Sequence, residues 1–127
     1  MRKIYEYCDD KGVVTEFLNN AHPKLKNKFV VLLQYIQKEN GNFCEPYIKH
    51  FSIERFKMFY EIRLKHMKTI VRIIFTEIDG NIILLHAFYK KNKRDTQMAL
   101  EQTLKLFLRL DDKSLLPFEN LREVTFQ

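Results

Sequence analysis

The segment from Met58 to Tyr89 constrains the fold more than any other. Met58, Tyr60, Ile62 and Leu64 alternate with Phe59, Glu61, Arg63 and Lys65, the period of a strand with one apolar and one mostly polar face. Thr69 to Ile78 and Ile82 to Tyr89 are rich in β-branched residues, which suit a pleated surface. Asp79-Gly80 between them is a hairpin signal, because the turn wants φ > 0 and glycine supplies it. Met67-Lys68 is the corresponding break between the first two runs. The pattern predicts three consecutive antiparallel strands joined by two-residue turns.

Turn length sets register, and register assigns faces. His66 then faces Thr69, Leu64 faces Val71, Ile62 faces Ile73 and Arg63 faces Arg72. Across the second turn, Arg72 falls opposite Ala87. One side of the sheet is expected to carry Glu61, Arg63, Lys65, Arg72, Tyr89 and Lys91. The other carries Tyr60, Ile62, Leu64, Val71, Ile73, Phe75, Leu84, His86 and Phe88, a core for helices.

Those helices are legible on either side. Arg2 to Tyr7 reads as a first strand, broken by Asp9-Asp10-Lys11-Gly12. Val13 to Asn20 reads as a short helix carrying Val14, Phe17 and Leu18. Pro23 suits the first turn of a second helix, in which Leu25, Phe29, Leu32, Leu33 and Ile36 form one stripe and Asn40-Gly41 forms the end. The two make a helical hairpin. Asn42 to Phe56, with Pro46, reads as an irregular connection. Asp95 or Thr96 caps a last helix with Leu100, Leu104, Phe107 and Leu108 on one face and Leu106 and Leu110 beside it. The tail holds Leu115, Leu116, Phe118, Leu121, Val124 and Phe126, too many large apolar residues for a solvated end, so part of it should pack back. The predicted class is α+β in the order β-α-α-β-β-β with a C-terminal helix, the helical hairpin lying on a mainly antiparallel sheet. A single domain is expected over residues 1–110, with 111–127 as a C-terminal extension.

Charge then locates a site. The chain carries 22 Lys and Arg against 16 Asp and Glu, a net of +6. Nine bases and three acids between Lys57 and Arg94 account for all of that excess. A regional basic surface suits a polyanion. Arg63 directly across from Arg72 is the sharpest feature, because like charges opposed on a sheet are destabilising. The pair calls for a bridging acid or an anionic ligand. Glu61 can bridge, but Lys65 and Lys91 add charge that one carboxylate cannot neutralise, and arginine suits bidentate phosphate binding.

Other chemistries lack their motifs. His22, His50, His66 and His86 show no metal-ligand spacing, and His86 falls at a core position. Neither a GxSxG nucleophile motif, nor a phosphate-cradling glycine loop, nor a dinucleotide fingerprint is present. No cofactor and no metal are expected. The longest apolar runs, such as Ile82 to Leu85, fall well short of the roughly 18 residues that cross a bilayer, and the N-terminal stretch does not resemble a secretory signal. A cytoplasmic location is therefore expected, with Cys8 and Cys44 as thiols to which no chemistry is assigned.

Three motifs then occur in order: Phe59-Tyr60-Glu61-Ile62-Arg63, Val71-Arg72-Ile73-Ile74-Phe75, and Asp79-Gly80-Asn81-Ile82-Ile83-Leu84-Leu85-His86-Ala87-Phe88-Tyr89-Lys90-Lys91. Over about residues 57–94 the chain resembles the HigB-like toxins, bacterial and phage-derived, of the RelE/ParE superfamily. Those show an aromatic-Glu-aliphatic-Arg strand, an Arg-containing second strand and a Leu-His-Gly-Phe-x-Lys-Lys ending on the third. The resemblance implies two N-terminal helices on one side of the sheet and a basic concave face on the other. It also implies a type II toxin, a ribosome-dependent mRNA endonuclease inhibiting translation, whose partners are mRNA, the ribosome and a cognate antitoxin, expected as a helix-turn-helix protein from an adjacent gene. Arg72, Arg63 and Lys91 match the basic cleavage positions and Glu61 the strand motif, either as a base or as the orienter of Arg63, with Lys65, Lys68, Lys90, Lys93 and Arg94 expected to hold RNA. The segment after Lys91, Asn92-Lys93-Arg94-Asp95-Thr96, departs from the Thr-rich and often Pro-containing pattern, and Gln97 and Met98 stand where some relatives carry a Tyr. A non-catalytic ParE-like inhibitor of gyrase and an inactive phage-derived relative that keeps only antitoxin binding are the alternatives.

Overall fold

In chain order the elements are β1 (Ile4–Tyr7), α1 (Val14–Asn19), α2 (Pro23–Gln37), β2 (Ile48–His50), β3 (Phe59–His66), β4 (Thr69–Ile78), β5 (Asn81–Tyr89), α3 (Lys93–Asp111) and β6 (Leu121–Glu123). This computed structural model describes residues 2–8, 13–38, 43, 45–111 and 121–125. Both turns of the meander have two residues, since His66 pairs with Thr69 and Ile78 with Asn81. Met67, Asp79 and Gly80 take φ of 55°, 54° and 81°, the left-handed values that match the twist of hairpin strands.

Among the described residues the sheet has six strands in the order β2-β3-β4-β5-β1-β6. Only the β1–β5 pair is parallel, so the fold is α+β with a mostly antiparallel, open sheet. Two of these strands were not expected. Ile48 to His50, read as irregular, pairs with β3 through Ile48–Ile62, Lys49–Glu61 and His50–Tyr60. Three residues are too few to display an alternation, and Pro46 just before them mimics a loop. At the other edge β6 pairs with β1, and the Val124 N–H donates to the Ile4 carbonyl at 2.7 Å. Asp9 to Gly12, Asn40-Gly41, Cys44, Leu115, Leu116, Phe118 and Phe126, each read above, lie outside the described residues.

The sheet is covered on both faces. On one, Leu25, Phe29, Leu33 and Ile36 of α2 pack on Ile62, Ile73 and Phe75, each fully buried aliphatic side chain contributing about 1.5–3 kcal/mol. His22 starts α2 by accepting the Lys24 N–H on Nδ1 at 3.1 Å, with Pro23 in the first turn. Arg2 satisfies the far end, its guanidinium donating to the Ile36 carbonyl at 2.9 Å and its N–H to that of Gln37 at 3.2 Å, groups a helix leaves orphaned. On the other face Ala99 and Leu100 of α3 pack over Phe59, Ile74, Ile83 and Leu85, and Arg55 pairs with Glu101 at 2.7 Å. The expected concave face is thus closed at the Phe59–Ile83 end. Among the described residues no helix is long and apolar enough to cross a membrane.

One residue of irregularity redistributes the third strand. Phe75 pairs with Leu84 but Ile74 pairs with His86, so Leu85 is the extra residue of a β-bulge. Arg72 therefore lies opposite Phe88 rather than Ala87, and Val71 opposite Tyr89. Tyr89 moves to the helical-hairpin face, its ring 4.8 Å from Phe17. His86 and Phe88 move to the face of α3, correcting their expected place. Ile82 to Leu85 is buried throughout, and a run apolar on both faces gives no parity signal that would betray a bulge.

Candidate functional site

Beyond the edge of α3 the same sheet face holds the paired arginines. Arg63 of β3 lies directly opposite Arg72 of β4, as the turn arithmetic predicts. Two residues earlier on β3, Glu61 is buried with 2% exposure. Its Oε1 accepts a hydrogen bond from Arg63 Nε at 3.2 Å. Arg72 Nε stands 3.9 Å from the same oxygen, an ion-pair distance beyond hydrogen-bond reach. Among the described residues Glu61 Oε2 and Arg72 Nε, both buried, have no hydrogen-bond partner.

Two further cations complete the cluster. Lys49 of β2 pairs with Glu61 across the strand, and Lys90 follows β5, its N–H donating to the Ile70 carbonyl at 2.9 Å. Burial pulls the Arg72 guanidinium below its ordinary value, Glu61 opposes that shift and Arg63 adds to it. Lys90 is also held below the ordinary lysine value, first by burial and then by Arg72, with Glu61 opposing and Arg63 and Lys49 adding. Arg63 and Arg72 thus share a single buried carboxylate, with Lys90 close enough to feel its charge and Lys49 across from it in the strand register. A buried polar group left without a partner costs about 1–3 kcal/mol, and an oxyanion with several acceptor positions would supply what Arg72 lacks.

The expected site residues divide accordingly. Glu61, Arg63 and Arg72 come together. Lys91 was expected beside Arg72, but the bulge puts Lys90 there, while the N–H of Lys91 donates to Asp95 Oδ2 at 2.7 Å. Asp95 also accepts the Asn92 N–H at 3.0 Å and donates its own N–H to Asn92 Oδ1 at 3.2 Å. This reciprocal cap opens α3 at Lys93, earlier than the expected Asp95 or Thr96 cap. The two backbone donors hold the Asp95 carboxyl below its ordinary value. Lys65 near the end of β3, Lys68 in the β3–β4 turn, and Lys93 and Arg94 at the start of α3 are exposed. Lys49 was missed because its strand was not read, and His86, stacked on Phe88 with ring centroids 5.8 Å apart, was assigned to the opposite face.

Arg63 and Arg72 also border a groove of about 1080 Å³ between α2 and the end of β3. The model of a protein family described as "Phage derived protein Gp49-like (DUF891)" matches residues 16–107, more than two thirds of the chain and all four cations of the cluster. Neither a curated protein nor a solved structure matches the chain.

Proposed function

The chain belongs to the phage-derived Gp49-like family, and from that premise we propose that it is the toxin of a toxin–antitoxin pair, a metal-independent endoribonuclease that cuts mRNA on the ribosome. The observation that carries this reading is the Arg63–Arg72 pair, opposed in mid-sheet and sharing one buried carboxylate. Guanidinium forks present paired N–H donors that match two phosphate oxygens.

The chemistry is attack of a ribose 2′-oxygen on the adjacent phosphorus. The 2′-hydroxyl gives its proton to water, the new P–O bond forms as the bond to the 5′-oxygen breaks, and the leaving oxygen takes a proton from water, which leaves a 2′,3′-cyclic phosphate and a 5′-hydroxyl. Negative charge grows on the phosphoryl oxygens in between. Arg63 and Arg72 stabilise that charge where it develops, the form of electrostatic catalysis that a fixed, partly desolvated donor does best. Lys90 takes the third cationic position in place of Lys91. Glu61 acts as a positioning residue: its carboxylate is buried and its Oε1 is engaged by Arg63, so it orients guanidiniums rather than receiving a proton from RNA. General acid–base help is worth about 10²- to 10⁴-fold, and positioning by the ribosome can make up for a site that works mainly by charge. Lys65, Lys68, Lys93 and Arg94 hold backbone phosphates, and the cognate antitoxin from an adjacent gene covers the basic surface.

Induction of the intact chain in bacteria, followed by mapping of RNA 5′ ends, tests the reading. New 5′-hydroxyl ends within coding sequences are expected, with chromosomal DNA intact. DNA breaks with intact RNA would overturn it in favour of a gyrase inhibitor, and intact RNA with normal growth would overturn it outright.

A further inference from the structure

We propose that the groove between α2 and the end of β3 is a base-stacking subsite that seats a single-stranded RNA segment beside the Arg63–Arg72 pair. This rests on the reading above and extends it to side chains that reading does not use. The groove follows from the sequence in two steps. Leu25, Phe29, Leu33 and Ile36 turn the buried stripe of α2 toward the sheet, which leaves Val31 and Tyr35, one turn apart, on the outer side at 66% and 41% exposure. Opposite them the chain enters β2 through Tyr47, whose carbonyl accepts the Arg63 N–H at 2.8 Å while its side chain is 62% exposed. The β2 ladder ends there, so β3 continues past its neighbour and a gap opens between helix and strand.

Four cations line that gap, Lys28, Arg63, Lys65 and Arg72, and no acidic residue does among the described lining. Lys28 Nζ donates to the Lys65 carbonyl at 2.6 Å, which fixes an ammonium with further donors at the rim. Large apolar surface beside unbalanced positive charge suits a ligand that is aromatic and anionic by turns. Single-stranded RNA is such a ligand, since bases stack on exposed aromatic faces while phosphates pair with Lys and Arg. An acidic amphipathic peptide would answer the same charges. Continuity favours RNA: Arg63 and Arg72 belong both to the groove and to the phosphate cluster, so a strand whose phosphate rests on that pair carries its neighbouring nucleotide to the groove mouth.

The test is fluorescence anisotropy of a labelled, 2′-O-methylated single-stranded oligoribonucleotide, which binds without being cut, titrated with the purified full chain. Tyr47→Ala should weaken binding about 5- to 100-fold, the range expected for losing one stacked base. Tyr47→Phe should bind as the parent does, because the ring is retained. Val31→Glu, at a position already exposed, should weaken binding by placing an acid among the phosphates, with unchanged melting by circular dichroism showing that the variant is folded. If Tyr47→Ala and Val31→Glu bind as tightly as the parent while Arg72→Ala does not bind, the groove lies off the RNA path and the proposal falls while the cleavage reading stands. If the parent chain does not bind the oligonucleotide, whether or not it binds a Glu- and Leu-rich helical peptide through Tyr47, the proposal falls, while the cleavage reading, in which the ribosome positions the mRNA, stands or falls by the 5′-end mapping.

Discussion

Two buried glutamates divide the molecule's polar interior. Glu6 and Glu61 are 1% and 2% exposed, and each meets an arginine at 3.2 Å. Glu6 is satisfied on both oxygens: Oε1 accepts the Thr15 N–H at 3.1 Å, and Oε2 accepts the Thr15 hydroxyl at 2.6 Å and Arg122 Nη2 at 3.2 Å. Arg122 also donates to the Thr15 hydroxyl at 3.1 Å, and its guanidinium is held above its ordinary value by the hydrogen bond and charge of Glu6. One acid and one base thereby join β1, the start of α1 and β6. Glu61 shares one oxygen between two arginines, and its other oxygen has no hydrogen-bond partner among the described residues. Burial and pairing are common to the two. Satisfaction and charge balance are not, and on the reading proposed above they separate a structural clasp from an anion-binding surface.

The largest expected effect breaks this comparison at its weaker member. Glu61→Gln leaves two opposed arginines without a counter-charge and should cost about 3 kcal/mol in urea unfolding. Inorganic phosphate should restore part of that loss, since an anion that binds only the folded state stabilises it. Glu6→Gln retains an acceptor for Thr15 and should cost about 1–2 kcal/mol, with nothing restored by phosphate. An equal phosphate response in both variants would erase the distinction.

A smaller effect sharpens the structural side. Arg122 is 58% exposed on its side chain, so Arg122→Ala should cost no more than about 1 kcal/mol. Its signature should be faster hydrogen exchange at the Val124 amide, whose partner is the Ile4 carbonyl, with RNA cleavage unchanged. Lost cleavage would mean that the β6 clasp feeds the basic site.

The smallest concerns the hairpin tip, remote from both glutamates. His66 stacks on His22 with ring centroids 4.3 Å apart. Desolvation, then His22, Lys24 and Lys28, hold its imidazole below the ordinary value. The unfolded chain therefore binds the proton more readily, and stability present at neutral pH should fall as pH drops below about 6.5 toward the folded-state value. His66→Gln should flatten the unfolding free energy against pH in that window, and an unaltered slope would assign the dependence to other groups.

The same balance of signals explains what was legible in the sequence. Two-residue turns can be read because Asp79-Gly80 supplies positive φ, and they place Arg63 against Arg72 with no knowledge of the fold. The amphipathic stripe of α2 is equally plain, because one face is buried and the other is wet. What escaped has short or symmetric patterning. Ile48 to His50 and Leu121 to Glu123 are too brief for a period to repeat, and they gain their place from neighbours already in the sheet. The bulge at Leu85 falls in a run buried on both faces, so nothing local distinguishes one register from the next. That single residue exchanged Lys91 for Lys90 and brought His86 to the site's face.

Whether Arg72 serves the transferring phosphate is decided by RNA 5′-end mapping after induction of Arg72→Ala, with melting of the purified variant followed by circular dichroism. Arg72 is a largely buried cation opposed by Arg63, with 15% of its side chain exposed. Its removal relieves repulsion and desolvation while Glu61 keeps Arg63, so stability should change by less than about 1 kcal/mol. The Arg72→Ala chain is expected to fold and to make no new 5′-hydroxyl ends, and Arg72→Lys should remain inactive because an ammonium cannot reproduce the planar fork. A folded Arg72→Ala chain that cuts RNA as the parent does would contradict that role for Arg72.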